Sequence, residues 1–408
     1  MRIEEIRLKN FRAFKDVTMR DIPPFCVLIG ANGTGKSTLF AVFEFLHNAL
    51  TSNVNTALVK LGGPKGIQEV RTRGETGDIE ITIKFREQPS EENKRPRLVT
   101  YQLSIGEENG SPIVKKEILQ YRRGNRGKPW KYLDFANGEG QAVTNEFDVG
   151  FDESKLDREH QKLKSNDILA VKGLAQFEQY PAVVALGNLI ENWHISDFHI
   201  NQARPEQQPS HAEHLSESGD NLSLVIDFLY HRHREVYDEI CTRIAQRVPG
   251  IESVESKITE DGRVLLRFKD NSFEEPFLAR YASDGTIKML AYLVLLHDPA
   301  PFPLLCVEEP ENQLYPELLQ ELAEEFRAYS DRGRQVFVST HSFEFLNEAK
   351  LEEVFVLMKE KGHTKILRAS DNEQVAAYMK DGDHMGALWR EGFFQAFFFQ
   401  PQGETATS

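Results

Sequence analysis

Gly30-Ala31-Asn32-Gly33-Thr34-Gly35-Lys36-Ser37-Thr38 carries one glycine, four residues and then Gly-Lys-Ser. In front of it Phe25–Ile29 is a short apolar run that predicts a buried strand, and behind it residues 39–50 have helical periodicity. A strand, a glycine-rich turn and a helix in that order form the context in which this pattern cradles phosphate. Backbone N–H groups at the start of the helix bind an anion without any basic side chain. Lys36 adds a point charge for the β- and γ-phosphates, and the Ser37 hydroxyl reaches a Mg²⁺ ion. These nine residues are expected to hold a nucleoside triphosphate with Mg²⁺.

With 408 residues the chain can bury a full core and form two or three lobes. No apolar run approaches the ~20 residues of a membrane span, and Met1–Glu5 has no signal-peptide core, so no membrane contact is expected. The three cysteines, Cys26, Cys241 and Cys306, are too few and scattered for a disulfide framework or a zinc site, which suits a reducing cytosol. A formal charge of −14 argues against a general nucleic-acid coat. Residues 115–131 run against that total: Lys115, Lys116, Arg122, Arg123, Arg126, Lys128 and Lys131 are interleaved with Tyr121 and Trp130, and Tyr132 follows. Such a basic hairpin is either a solvated tip or a strand-binding surface using charge and stacking.

From residue 78 to about 132 period-two alternation (79–85, 99–105, 113–121) predicts antiparallel strands, with a loop over 90–96. Residues 136–167 are polar and acidic and read as a mobile connection into a helical lid. A helix is expected over 181–193, a strand over 193–200, and one long amphipathic helix from Asn221 to Arg247 on a stripe through Leu222, Val225, Ile226, Leu229, Val236, Ile240 and Ile244. Strand–helix alternation then returns, with strands over 304–309, 335–340, 354–359 and 365–369, implying a mainly parallel sheet.

Two further pieces belong to the loop's chemistry. The strand 304–307 runs into Glu308-Glu309-Pro310-Glu311-Asn312, so that Glu308 is placed to hold Mg²⁺ and Glu309 to polarise an attacking water. The strand 335–340 ends at His341, where an imidazole can sense a γ-phosphate. Ser283-Asp284-Gly285-Thr286 opens a helix, a second anion-binding surface that suits a nucleotide held by another subunit.

Together these motifs resemble the ABC-type ATPase heads shared by SMC proteins, RecF and double-strand-break repair ATPases. Within that group the chain looks most like the stand-alone, coil-less bacterial ATPases often encoded in antiphage defence cassettes. The matching residues are 8–14, 30–37, Ser218–Leu222, Ser283–Thr286, Glu308–Asn312 and Ser339–Ser342. The resemblance implies an α/β P-loop NTPase with an antiparallel β subdomain and a helical lid insertion: an N-terminal ATPase lobe over 1–135, the lid over 136–250 and a C-terminal ATPase lobe over 251–408. It implies Ser283 and Gly285 as a signature acting in trans, Asn312 as the start of an inter-subunit loop, Glu309 as catalytic carboxylate, His341 as switch histidine and Arg12 near the phosphates. The implied protein is a cytosolic ATP-hydrolysing switch, a homodimer or higher homo-oligomer sandwiching ATP, working with a separately encoded effector. The alternative is a RecF-like repair ATPase that meets DNA through 115–131.

Several residues depart from the family pattern. Glu308 stands where Asp is common, Asp284 where a second glycine is common, and Tyr315 where histidine is frequent; for the Q-loop only Gln176 is a candidate. About a hundred residues follow Glu309, and a fused TOPRIM-type nuclease is not expected. The aromatic tail from His384 through Phe394 to Phe397–Phe399 is expected to pack against the last strands, the alternative being a docking patch for another protein.

Overall fold

The structure is a computed structural model that describes residues 2–87, 96–122, 127–146 and 152–394. The first elements are β1 (Arg2–Phe11), β2 (Phe14–Met19) and β3 (Phe25–Ile29), the last leading through the phosphate loop into the helix Lys36–Thr51. An antiparallel run follows: β4 (Ile79–Arg86), β5 (Leu98–Glu108), β6 (Ser111–Tyr121), β7 (Trp130–Ala136), β8 (Glu139–Val143) and β9 (Arg158–Lys162). After the helices Ala170–Leu174 and Pro181–Glu191 come β10 (Trp193–Ser196), the helices Leu222–Arg232 and Arg234–Arg247, and β11 (Ile251–Ile258), β12 (Val264–Asp270) and β13 (Phe277–Leu278). The helix Asp284–Leu296, β14 (Leu304–Glu308), the helix Glu317–Asp331, β15 (Gln335–Thr340), the helix Phe343–Asn347, β16 (Val354–Glu360) and β17 (His363–Arg368) complete the sheets.

These strands form three sheets, ordered β2-β1-β4-β5-β6-β7-β8-β9, β10-β14-β15-β3-β16-β17 and β11-β12-β13. In the six-stranded sheet β10, β14, β15, β3 and β16 are parallel and β17 turns back antiparallel. Its apolar strands are covered on both faces, and alternate residues divide between two cores. Cys26, Leu28, Leu304, Cys306 and Phe337 join the core shared with the helix Lys36–Thr51 and the eight-stranded sheet. Phe25, Val27, Ile29, Leu305, Val307, Val336 and Val338 face the helices of the later half. Phe43 fastens the phosphate-loop helix to this sheet, its ring 5.3 Å from both Trp193 and Phe337. Gln335, 1% exposed, uses its side-chain amide as a peptide substitute: it accepts from Ile3 N–H (2.8 Å) and donates to Ile3 O (2.9 Å), tying β1 to the start of β15.

Three expectations are corrected. Where a mobile connection was expected over 136–167, the described residues include β8 and β9, which extend the eight-stranded sheet to its far edge. The helix expected over 221–247 breaks at His233 (φ −135°, ψ 59°). A straight helix would put that imidazole on the buried stripe four residues after Leu229, and the break lets Tyr237, Ile240 and Ile244 resume it at a new angle. The tail residues up to Phe394 pack against the helix Phe343–Asn347 rather than the last strands: Gly386 N–H donates to Asn347 Oδ1 (2.7 Å), and Met385, Leu388 and Phe394 are buried. Phe397–Phe399 and the loop 90–95 lie outside the described residues. Among the described residues no helix is long and apolar enough to cross a membrane.

Candidate functional site

Five parallel strands point their C-terminal ends at one edge, where an open α/β sheet presents its ligand groups. From β3 the chain enters the phosphate loop. A Cβ at Gly30 would collide with the Leu357 carbonyl and the Thr34 hydroxyl, so only glycine fits. Gly33 (φ +75°) and Gly35 (φ +103°) take left-handed torsions that glycine adopts without strain. Thr34 closes the turn onto Ala31 O through its N–H (3.2 Å) and hydroxyl (2.8 Å), and Thr364 of β17 donates to Thr34 O (2.7 Å). Ala31, Asn32, Gly33 and Ser37 are exposed at the mouth, with Thr38 half-buried behind them. Lys36 is 7% exposed and its Nζ donates to Gly30 O (2.7 Å), spanning the loop. Burial lowers its ammonium pKa, against the pull of Glu309, Glu311 and Glu308.

Glu308 ends β14 beside the loop, and Ser37 Oγ donates to Glu308 Oε2 (2.8 Å). Burial raises the Glu308 carboxyl, Asp197 and Glu309 raise it further, and the Ser37 hydrogen bond and Lys36 oppose the shift. A hydroxyl and a carboxylate in contact, with surplus negative charge around them, are the hard oxygen donors that Mg²⁺ takes. The donor set therefore fits the ion expected at Ser37 and Glu308.

Glu309 has a left-handed backbone (φ +42°), a conformation that costs a side-chain-bearing residue about 1–2 kcal/mol. Its N–H donates to Ser339 O (2.9 Å). Its carboxylate lies between Asn312, which donates through Nδ2 to Oε2 (2.8 Å), and His341, whose Nε2 is 3.5 Å from Oε1. Burial and then Lys36 lower the His341 pKa, favouring the neutral ring.

Ser283 is exposed and caps the helix Asp284–Leu296, accepting from Thr286 N–H (3.1 Å). This turn is thus open to solvent; Tyr281 just before it and Tyr315 are each 70% exposed. Gly285 faces Gln313 O, which a Cβ would meet at 3.1 Å.

The structure adds residues to which the sequence reading gave no role. Arg204 pairs with Asp284 and donates to Ala279 O (3.2 Å) and Arg280 O (3.1 Å), so the carboxylate that departs from the glycine pattern is already neutralised. Glu311 Oε1 accepts from Thr340 Oγ1 (2.7 Å), His341 N–H (2.8 Å) and Ser342 N–H (3.1 Å), which holds the segment Thr340–Ser342 to the Glu309 loop. Asp197 follows β10 directly beside Glu308, since Ser196 pairs with Val307. The strand expected over 193–200 stops at Ser196, and an acidic residue inside that expected strand was the available signal for Asp197; nothing local marks Arg204.

The Arg12 guanidinium donates to Leu61 O (2.6 Å), and its neighbour Ala13 lies against Gly35 of the phosphate loop. Gln176 follows the helix Ala170–Leu174 and belongs to none of the strands whose ends form this edge, where β14 lies between β10, ending at Ser196, and β15. In the basic hairpin, Tyr121 and Tyr132 are buried and stacked at 3.9 Å, which removes both rings from base stacking. Lys115 pairs with Asp78 (2.9 Å) and Lys131 with Asp134 (2.6 Å); Arg122 is exposed, and Arg123 and Arg126 lie outside the described residues.

Comparison with known proteins bears on the family and the fold. Residues 25–347 match the family described as "AAA domain, putative AbiEii toxin, Type IV TA system". The chain is 25% identical over 176 residues to the DNA replication and repair protein RecF of Lactococcus lactis subsp. cremoris (strain MG1363), covering 39% of this chain and 48% of RecF, about half of that relative's length. Among solved structures, an Smc head bound to the C-winged helix domain of ScpA superimposes with a TM-score of 0.55 at 15% identity, over 90% of this chain and 98% of that one. An Smc head with an extended coiled coil bound to the C-terminal domain of ScpA, from Pyrococcus furiosus, gives 0.50 at 13% identity, over 93% and 99%. At such identities the structural matches speak for the fold, a P-loop NTPase of the ABC/SMC-head type. The match across residues 25–347 places the chain in that AAA-domain family.

Proposed function

We propose that this chain is a cytosolic ATPase that works as a dimeric switch, reporting ATP-driven head engagement to a separately encoded partner protein in bacterial antiphage defence. The observation that carries the reading is convergence: Lys36, the Ser37–Glu308 pair and the Glu309–Asn312–His341 group share one strand edge, while Ser283 is exposed at the start of the helix Asp284–Leu296. Lys36 and the loop N–H groups bind and orient the triphosphate. Mg²⁺, held through Ser37 and Glu308, supplies neutralisation of the phosphate oxygens. Glu309 accepts the proton of the attacking water, aimed by Asn312 and His341. Ser283 and Gly285 reach the γ-phosphate held by a second copy, so ATP contributes to both halves of the joint.

The defence role rests on the family's toxin–antitoxin description and on the resemblance to defence ATPases. The partner rests on analogy with the Smc heads, which bind ScpA. In the test, Glu309→Gln should bind ATP normally, hydrolyse it about 10²–10⁴-fold more slowly, and accumulate dimers visible by sedimentation. A protomer mass unchanged by ATP would defeat the switch. Similarity to RecF supports a second reading, DNA-stimulated hydrolysis through Arg122, Arg123 and Arg126. Stimulation by DNA that disappears on charge reversal at those three arginines would favour it.

A further inference from the structure

We infer that Lys288 is a positioning residue that latches the signature helix to the loop carrying Glu309, so that engagement of Ser283 is felt at the Glu309 carboxylate. This rests on the ATPase reading above. Lys288 lies one turn into the helix Asp284–Leu296 and is 4% exposed. Burying a lysine is unfavourable, and a packed helix would ordinarily place leucine or methionine there. Among the described residues it forms no ion pair; its Nζ donates to Asn312 O (2.8 Å) and lies 3.4 Å from Glu309 O. Its ammonium passes 5.9 Å from the Tyr292 ring, and Glu311, Asp197 and Glu309 surround it at longer range. Burial pushes its pKa down to about 8, the carboxylates opposing.

The loop it holds is strained. Glu309 (φ +42°) and Gln313 (φ +66°) are both left-handed, and such torsions persist only where surrounding contacts over-determine them. Asn312 accepts from Lys288 with its carbonyl and donates to Glu309 Oε2 with its side chain (2.8 Å), giving an unbroken path Lys288–Asn312–Glu309. Helix and loop meet a second time where Gly285 faces Gln313 O. A small shift of the helix on engaging a neighbour's nucleotide therefore moves the Glu309 carboxylate.

The test compares wild type, Lys288→Met and Lys288→Arg by ATP hydrolysis and by hydrogen–deuterium exchange without nucleotide. Lys288→Met should lower kcat about 10- to 100-fold, the worth of a hydrogen bond from a charged group, with KM for ATP within about twofold. Its amides over 309–315 should exchange faster, while Lys288→Arg, which keeps the donors, restores both readouts. A wild-type kcat in Lys288→Met, unchanged exchange over 309–315, or an arginine variant as slow as methionine overturns the latch. Should the wild type itself fail to hydrolyse ATP, the ATPase reading fails separately, and exchange over 309–315 still decides whether Lys288 holds the loop.

Discussion

Glu308, at the rim of the six-stranded sheet, and Glu117, inside the eight-stranded one, are both carboxyls that burial lifts above their ordinary range, yet their surroundings are opposite. Around Glu308 stand Asp197 and Glu309, which lift it further, with the Ser37 hydroxyl and Lys36 opposing. Around Glu117 every polar neighbour is a donor: Tyr101 OH (3.0 Å), Val171 N–H (3.1 Å) and Ala170 N–H, and burial alone carries it to about 7. The first cluster holds more negative charge than the protein compensates, which suits a cation and a triphosphate. The second is closed and serves to fasten β6 to the helix Ala170–Leu174. On the proposed reading, buried polar groups at the rim serve function and those in the interior serve stability, and substitutions should separate the two.

The sharpest separation should come from Phe85 and Lys36. Phe85 of β4 is fully buried, with its ring 6.4 Å from Trp193 of β10, joining the two large sheets. Phe85→Ala should cost about 3–5 kcal/mol in chemical denaturation, while the folded fraction keeps its ATP affinity. Lys36→Ala should do the reverse. Calorimetric titration should show ATP binding weakened about 10- to 100-fold or more. Because burial disfavours the Lys36 ammonium in the folded chain, its Tm should stay level or rise. A Tm that falls with ATP affinity in Lys36→Ala would mean the rim is structural as well, and the contrast would dissolve.

Most of the rim was legible in the sequence because its signals are local. The phosphate loop, the acidic end of β14 and the strand before His341 are each read from a few neighbouring residues, and β3 and β15 have the predicted bounds. What escaped was non-local. Glu139–Val143 and Arg158–Lys162 have little apolar alternation, since few of their side chains are buried, and backbone pairing to strands already in place holds them. Arg204 and Asp284 meet across 80 residues of chain, and Lys288 reads as a surface lysine until the loop folds over it. The break at His233 left a trace, a polar residue on an apolar stripe, that helical period alone outweighs.

Glu117 turns the contrast into a pH measurement. Its folded value of about 7 lies above the ordinary carboxyl value of 4.5, so between the two the folded chain keeps a proton that the unfolded chain releases. Its contribution to stability is complete below the unfolded value, declines as pH rises through that window, and is gone above the folded value. Glu117→Gln cannot titrate, so the stability difference between wild type and variant should shrink as pH rises from 5 to 7.5. A difference independent of pH would show that the donors hold Glu117 ionised throughout, leaving it a conventional buried anion.

Thr364 gives the smallest expected effect and the finest test, because it touches both regions. Its N–H donates to Ala13 O in the turn between β1 and β2 (2.9 Å), and its hydroxyl donates to Thr34 O in the phosphate loop (2.7 Å). Thr364→Val keeps shape and backbone bond while removing one neutral hydrogen bond, worth about 0.5–1.5 kcal/mol. If the eight-stranded sheet steadies the loop through this hydroxyl, the loss should appear as ATP affinity weakened about 2- to 10-fold, with Lys36 and Ser37 untouched. If it appears only in unfolding, Gly33, Gly35 and the Ala31–Thr34 closure hold the loop unaided, and the division between rim and interior is stricter than the Thr364 contact implies.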